Sequence, residues 1–370
     1  MGAMKRLFKI PIRWWKARKN TKLKIDMKKT SILTVVLILA VSAAVFVYFR
    51  HLKPQTQPGK TSEVKAGEQA TNQKESMNGA LVPQDTASIR PFAVMIENHP
   101  DSRPQSGLSQ ADVVYEALAE GGITRFLALF QTARPEMIGP IRSARDYFAE
   151  LAEEWAAIYV HVGGSNEVIE QLKNNDYPKL SDANEYYNGD YFIRRTDKIQ
   201  PHHVFTSWNK LQELAVSRNL SVIADFKPWL FQDYQPDASS TVSKIDIDFS
   251  RAGYEVGWRY DASQNRYLRL QYFEPHKDAS TKTQISASTV VIQLVKVTPV
   301  PNDKLLHVNI DIDSGGKAWV FAGGEVVEGI WKKQNGRTRF YNVAGEEIKL
   351  ARGPVWVELV PQDKQENLKW

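Results

Sequence analysis

The pattern of apolar and polar positions changes three times along the 370-residue chain. Residues 31–49 form an uncharged run of nineteen, about the length that a helix needs to cross the hydrocarbon core of a membrane. From 88 to 228, short apolar runs alternate with helical patterns, and from 240 to 370 alternating positions are separated by turns such as Asn335-Gly336. The predicted fold class is an α/β domain (a mixed sheet with helices) followed by a β-rich domain, behind a single N-terminal transmembrane helix.

Residues 1–30 form a basic tail in front of this apolar run. Residues 1–29 contain eleven Lys and Arg against Asp26 alone, whereas few basic residues follow the run closely. The positive-inside rule then predicts that the N-terminus is cytoplasmic and that everything after the run is extracytoplasmic. A cleavable signal peptide is the alternative, but the run stays apolar to Phe49, which favours a retained anchor. Because Met27 has the context of a translation start, it stays open whether residues 1–26 are made.

Residues 50–87 are rich in Gln, Lys, Thr, Gly and Pro, which predicts a disordered tether. The chain after residue 29 has a net charge of −4, so the overall value of +6 belongs to the tail and no nucleic-acid partner is predicted. The absence of cysteine excludes disulfides, thiolate metal sites and a lipidated N-terminal Cys.

The stretch from Glu116 to Glu154 predicts a strand at Thr124–Gln131 and a helix at Ser143–Trp155. Ser143 and Asp146 fit a capping box, with Ser143 as the N-cap. This places Arg142 just before the helix and Arg145 in its first turn.

Cations at that end oppose the helix dipole, at a cost of about 0.3–1 kcal/mol each, unless an anion lies in front of them. We therefore predict that Arg125, Arg142, Ser143 and Arg145, together with His202, bind a phosphate, pyrophosphate or carboxylate group. The alternative is that these arginines form ordinary surface ion pairs, such as Arg142 with Asp146, which contribute little.

Three residues are candidates for catalytic roles: His161, Asp146 and Glu120. His161 ends an apolar strand before Gly163-Gly164, where a buried structural histidine is the alternative to a general base. No metal site or cofactor is predicted, because the adjacent His202 and His203 point apart on an extended chain.

Five strings are typical of one family: RPQSGLSQADVVYEALAEGGITRFLALFQ, IGPIRSARDYFAELAEEW, VHVGGS, PHHVFTS and GGEVVEGIWKK. Together they resemble the YerB-like lipoproteins of Gram-positive bacteria, a family whose domain is of unknown function, over about residues 88–370. The resemblance implies an extracytoplasmic, membrane-tethered protein. This chain departs from the family in lacking the lipidation cysteine, and it has His203 where an asparagine is expected.

A second resemblance covers the glycine-rich turn, the TRFLALF strand and the IGPIR segment. This order is similar to phosphotransferases that attach anionic polymers to peptidoglycan and hold a polyprenyl pyrophosphate with arginines. Carried over, Arg125 matches the first arginine and Arg142 or Arg145 the second, while Phe126 stands where those enzymes have an acidic residue.

Three functions follow as hypotheses. The first is an envelope protein, not an enzyme, that binds an anionic glycan precursor or polymer through the arginines. The second is a phosphotransferase or hydrolase acting on lipid-linked glycans, and the third is a scaffold that binds an envelope protein partner without a small ligand.

Overall fold

A computed structural model of the protein describes residues 73–236 and 241–370, all of which fall within one compact unit. The predicted basic tail and transmembrane segment lie outside these residues. Within the described ranges, every helix is too short or too polar to cross a membrane.

The described residues form five α-helices, several short 3-10 helices and twenty-two strands. The helices are α1 Gln84–Ala87, α2 Asp146–Glu153, α3 Asn166–Asn174, α4 Glu185–Asn188 and α5 Trp208–Ser217. The strands are β1 Gln73–Glu75, β2 Leu81–Pro83, β3 Phe92–Glu97, β4 Val113–Glu120, β5 Ile123–Phe130, β6 Ile158–His161, β7 Ser181–Asn184, β8 Ile193–Arg194, β9 Val204–Phe205, β10 Phe231–Gln232, β11 Lys244–Asp248, β12 Glu255–Asp261, β13 Arg266–Gln271, β14 Glu274–Pro275, β15 Ser286–Ala287, β16 Thr289–Pro299, β17 Val308–Asp311, β18 Gly316–Ala322, β19 Glu325–Gln334, β20 Arg337–Asn342, β21 Leu350–Ala351 and β22 Val355–Pro361.

One mixed sheet of eleven strands organises the protein. Its order is β20-β19-β18-β16-β22-β4-β5-β3-β6-β7, with β17 paired to β16. Strands β3, β6 and β7 are mutually parallel, and β4, β22 and β16 run in the same direction. Strands from the predicted α/β segment and from the predicted β-rich segment therefore share one sheet, joined where β4 pairs with β22.

Each face of this sheet is covered by a separate apolar core, because alternate side chains of a strand point to opposite faces. On one face, α5 and the smaller sheet β11–β15 contribute Trp208, Leu211 and Trp258. On the other face, α2 and the segment around Trp229 pack against the strands. Burial on both faces explains why β3, β4, β5 and β22 have almost continuous apolar sequences.

The predicted mixed α/β segment and β-rich C-terminal segment are confirmed. The predicted strand at Thr124–Gln131 is β5. Helix α3 begins after Ser165, whose side chain accepts the backbone N–H of Val168 as an N-cap. Strand β4 combines the β-branched pair Val113-Val114 with residues that favour helices, such as Ala117 and Leu118, and it is a strand because it lies in the centre of the sheet with both faces buried.

The end of the predicted tether is ordered, which corrects its boundary. Residues 73–87 form the hairpin β1-β2 and the helix α1. Met77 is fully buried, its backbone N–H donates to Gln131, and the Asn78 side chain donates to Asp112 at 2.7 Å. These contacts, together with an ion pair between Arg352 and Glu75 at 2.7 Å, order a segment whose composition is polar.

A buried charged cluster joins the large sheet to the smaller one. Arg269 on β13, Glu116 on β4 and Glu358 on β22 are all fully buried, and the two glutamates are register partners on neighbouring strands. Arg269 forms an ion pair with Glu116 at 2.5 Å, and Trp258 donates its indole N–H to Glu358 at 2.9 Å. Because one cation faces two carboxyl groups, the cluster has no net charge only if one of the two carboxyls stays protonated.

Glu358 is the carboxyl that keeps its proton. Burial raises the pKa of Glu358 well above its ordinary value, and the Glu116 carboxylate raises it further against the opposing effect of Arg269. A carboxyl whose pKa is raised by folding stabilises the native state below its unfolded pKa, near 4.5. That stabilisation is lost as the pH rises toward the folded pKa, because the unfolded chain releases the proton and the folded chain does not.

We predict that Glu358→Gln makes stability less dependent on pH. The amide oxygen still accepts the Trp258 indole N–H, and no proton has to be retained on folding. The free energy of unfolding of Glu358→Gln, minus that of the wild type, should increase by up to about 1.4 kcal/mol for each pH unit above pH 4.5, until the pH passes the folded pKa of Glu358. Urea unfolding of the full chain from pH 4.5 to 8 measures this difference. The exposed Glu328→Gln is the control, and equal pH slopes in wild type and Glu358→Gln would show that Glu358 is ionised in the fold.

Candidate functional site

The carboxyl ends of the parallel strands gather the polar residues that the sequence singles out. Strands β3, β4, β6 and β7 all point toward this edge, and β5 starts from it. It therefore collects Glu97, Glu120 and His161 from strand ends and Arg125 from a strand start. We call it the carboxyl edge, and it is where ligands bind in open sheets with parallel strands.

The helix that was predicted from Ser143 begins only at Asp146. Arg145 occupies the N-cap position, and no side chain caps the helix. The reason is that residues 141–145 are extended: the Arg142 N–H donates to Met95, and the Arg142 carbonyl accepts the Val162 N–H. Ser143 therefore contributes its carbonyl oxygen, which accepts from Arg125 at 2.9 Å, and the predicted capping box is wrong.

Arg125 and Arg145 are neutralised by a carboxylate of the protein itself. Each meets a different oxygen of Glu120 at 2.5 Å, and both arginine side chains are buried. Burial raises the pKa of Glu120, but Arg125 and Arg145 outweigh it and hold that pKa below the ordinary value. Glu120 thus takes the place in which an external anion was predicted, since it forms ion pairs with both arginines.

Arg142 and His202 meet a second carboxylate, Glu97. The Nε of Arg142 lies 3.0 Å from one Glu97 oxygen, and Nδ1 of His202 lies 2.7 Å from the other. Glu97 and His202 are buried, whereas the Arg142 side chain is 25% exposed. Within the described residues, the two terminal nitrogens of Arg142 form no hydrogen bond, so among the three predicted arginines this one can still bind an anion.

Both ring nitrogens of His161 lie within hydrogen-bond distance of other groups of the protein. Its Nδ1 lies 2.7 Å from the Gly163 carbonyl and its Nε2 lies 2.7 Å from Asp182, and the ring is fully buried. Neither nitrogen is free to take a proton from a substrate, so the geometry favours the structural alternative over the general base. Asp146 is half-buried at the first position of α2, where the positive end of the helix dipole stabilises a carboxylate.

A third cluster was missed by the sequence analysis. Each of His99, Asp101 and His202 offers one ligand atom, and these atoms lie within 4.8 Å of one another. The rings of His99 and His202 are stacked, with centroids 5.0 Å apart. His202 stacks on a histidine 103 positions earlier in the chain, a contact for which the sequence carries no signal.

A groove opens at the carboxyl edge beside β6 and β7. Its volume is about 570 Å³, and its lining residues are Gly163, Gly164, Asn166, Ile169, Glu170, Lys173, Asn174, Asn184, Tyr186 and Tyr187. The tyrosines Tyr186 and Tyr187 are 69% and 67% exposed. A Cβ at Gly163 would lie 2.9 Å from the Tyr186 hydroxyl, so Gly163 is needed for this ring to lie close to the backbone.

We predict that Glu120→Ala lowers the free energy of unfolding by about 3–5 kcal/mol, because it leaves two buried guanidinium groups without a counter-charge. Since the pKa of Glu120 is lowered in the fold, its contribution exists above the unfolded pKa near 4.5 and disappears as the pH falls through the folded value. The loss should therefore be large at pH 7 and small in acid.

Sulfate or phosphate should partly restore the stability of Glu120→Ala, by binding between Arg125 and Arg145. Chemical unfolding of the full chain, with and without these anions, measures both effects. Wild type and the exposed variant Glu328→Ala give the general salt effect. An equal anion response in all three proteins would contradict the role assigned to Glu120.

Comparison with known proteins agrees with the fold. The chain matches the model of "Protein of unknown function (DUF3048) N-terminal domain" over residues 77–221 and that of the corresponding C-terminal domain over residues 245–357. It is 33% identical over 327 residues to "Putative lipoprotein YerB" of Bacillus subtilis, covering 87% of this chain and 95% of the relative.

A solved structure extends the similarity to three dimensions. The crystal structure of the YerB protein from Bacillus subtilis superposes with a TM-score of 0.72 at 32% identity, covering 79% of this chain and 98% of that one. The two family models together match strands on both sides of the β4–β22 junction. The chain therefore belongs to the YerB-like family, whose two domains of unknown function are here built around one continuous sheet.

Proposed function

We propose that this protein is a membrane-tethered, extracytoplasmic member of the family that binds an anionic glycan of the cell envelope at the carboxyl edge. The location is supported by the relative that is named a lipoprotein and by the apolar run 31–49, which would replace the lipid anchor. The ligand class rests chiefly on one observation, the groove lined by Tyr186 and Tyr187.

The composition of the groove suits a sugar. Two exposed tyrosine rings offer apolar faces against which pyranose C–H groups can stack, while the tyrosine hydroxyls remain in contact with solvent. The exposed side-chain amides of Asn166 and Asn174 provide both donors and acceptors for sugar hydroxyls, whereas Asn184 is buried and its side-chain oxygen accepts the backbone N–H groups of Gly163 and Tyr186. A site of this kind binds by many modest contacts along an extended chain, which suits a polymer better than a small buried metabolite.

The anionic part of the ligand is assigned to Arg142. The segment that carries Arg142 is hydrogen-bonded to Val162, and the Ala144 N–H donates to the Gly163 carbonyl, so this segment runs beside the groove. The free terminal nitrogens of Arg142 can donate two parallel hydrogen bonds to a phosphate or carboxylate. Arg125 and Arg145 have no such role here, since Glu120 already engages both.

The enzyme alternative receives less support. A phosphotransferase or hydrolase at this edge would need a free base near the arginines, and His161 is occupied by Gly163 and Asp182. The glycan-binding proposal requires no such group.

We predict that Tyr186→Ala/Tyr187→Ala weakens binding to purified cell-wall sacculi about tenfold. Each aromatic contact contributes about 0.5–1.5 kcal/mol beyond its buried area, and 1.4 kcal/mol corresponds to a factor of ten. Co-sedimentation of the full chain in detergent micelles measures the affinity. Both side chains are exposed, so the double variant should retain the unfolding midpoint of the wild type.

Two further variants separate the parts of the proposal. Arg142→Gln should weaken binding only to sacculi that still carry their anionic polymers, and that difference should shrink at high salt. Tyr272→Ala removes another exposed tyrosine, 52% accessible and outside the groove, and should bind as the wild type does. Equal retention of the wild type and the double tyrosine variant would refute the glycan site.

A further inference from the structure

The cluster of His99, Asp101 and His202 has the composition of a metal centre. Two imidazoles and one carboxylate are the protein ligands of many zinc and non-haem iron sites that keep positions open for water or another ligand. The residues come from two distant segments: the turn after β3 carries His99 and Asp101, and the loop between β8 and β9 carries His202. Their ligand atoms already lie within 4.8 Å of one another.

His202 is oriented as a metal-bound histidine is. Its Nδ1 faces a Glu97 oxygen at 2.7 Å, and because Glu97 is a carboxylate, Nδ1 is the protonated nitrogen and donates to it. The lone pair is therefore on Nε2, the atom left to bind a metal. A carboxylate behind a ligating histidine fixes the ring and increases its basicity, an arrangement that is common around protein-bound metals.

His99 and Asp101 form the other side of the site. The single lone pair of His99 Nδ1 accepts a long hydrogen bond of 3.3 Å from the Asp101 N–H, which a metal ion would have to replace, and an Asp101 carboxylate oxygen lies 3.6 Å from the same nitrogen. Ligands bound to zinc at 2.0–2.1 Å in a tetrahedron are about 3.3–3.4 Å apart. The His99–Asp101 spacing is close to that value, and the partly exposed Asp101 can rotate to close the remaining distance.

The turn that carries these ligands is held in place by side chains behind it. The Ser102 hydroxyl donates to the His99 carbonyl at 2.6 Å, and Arg103 donates to both the side-chain and backbone oxygens of Asn98. Asn98 is itself fully buried. The ligands thus rest on a rigid base, which reduces the cost of ordering them when a cation binds.

We propose that His99 Nδ1, Asp101 and His202 Nε2 bind a divalent cation of the zinc class, with Glu97 as the positioning residue for His202. The centre is distinct from the tyrosine-lined groove, and it can exist whether or not the protein binds a glycan. Asp101 and His99 are the more exposed ligands, so the site can be reached from solvent. Arg142 contacts the same Glu97, so a metal-bound anion would also lie near a guanidinium group.

The test uses the full chain in detergent, freed of metal with a chelator. Co²⁺ should bind with a one-to-one stoichiometry and give the visible absorption of a four- or five-coordinate site, and Zn²⁺ should displace it. His99→Asn and Asp101→Asn should each weaken Zn²⁺ binding at least a hundredfold. Both residues lie at the surface, and circular dichroism should show that both variants are folded.

Two variants complete the design. Glu97→Gln should weaken binding about ten- to a hundredfold, the range measured for such orienting carboxylates. His307→Ala breaks a different histidine–carboxylate pair, His307 with Asp303 at 2.7 Å, and should leave the Zn²⁺ affinity unchanged. If His99→Asn and Asp101→Asn bind Zn²⁺ as tightly as the wild type, or if Co²⁺ shows no site-specific absorption, the proposal is overturned.

Discussion

The structure depends on one buried cation, Arg269. Its guanidinium group lies over the rings of Trp356, Phe126 and Trp258 at 4.9, 5.5 and 5.8 Å, and it forms an ion pair with Glu116. Removing one partner of a buried ion pair costs about 3–5 kcal/mol, because the other charge stays in a low-dielectric core. Arg269 comes from the small sheet and Glu116 from the large one, so the ion pair opposes any displacement of one sheet relative to the other.

The same cluster extends to the carboxyl edge through a closed ring of hydrogen bonds. Arg269 donates to Nδ1 of His276, whose Nε2–H donates to Gln105. Gln105 and Asn98 are hydrogen-bonded, and Asn98 returns to Glu116. Burial, with the nearby Arg269, lowers the pKa of His276 far below its ordinary value, so the ring stays neutral and keeps one acceptor and one donor.

This ring links the core to the proposed metal centre. The turn from Asn98 to Arg103 is its outer part, and both His99 and Asp101 belong to that turn. A change in the Arg269 cluster therefore alters the base on which two of the ligands rest. The site at the surface and the contact between the sheets are parts of one polar network. Leaving any buried donor or acceptor of this network without a hydrogen bond would destabilise the fold.

The sequence predicted where strands and helices form better than it predicted which strands pair with each other. Periodicity identified β5 and most of α2, because those signals are local. It did not show that β22 pairs with β4, since no local pattern specifies which of several apolar strands lie side by side. It also placed a cap at Ser143, because it could not show that residues 141–145 are extended and hydrogen-bonded to neighbouring segments.

At the candidate site, too, the sequence indicated the charged residues but not the residues that pair with them. Arg125, Arg142 and Arg145 were singled out from the sequence, but the carboxylates that neutralise two of them, and partly the third, come from the ends of β3 and β4. Glu97 and Glu120 are at the ends of β3 and β4, brought together with the arginines only because these strands run in the same direction. An arginine cluster in a sequence therefore indicates where counter-charge is needed, and topology decides whether the protein or a ligand supplies it.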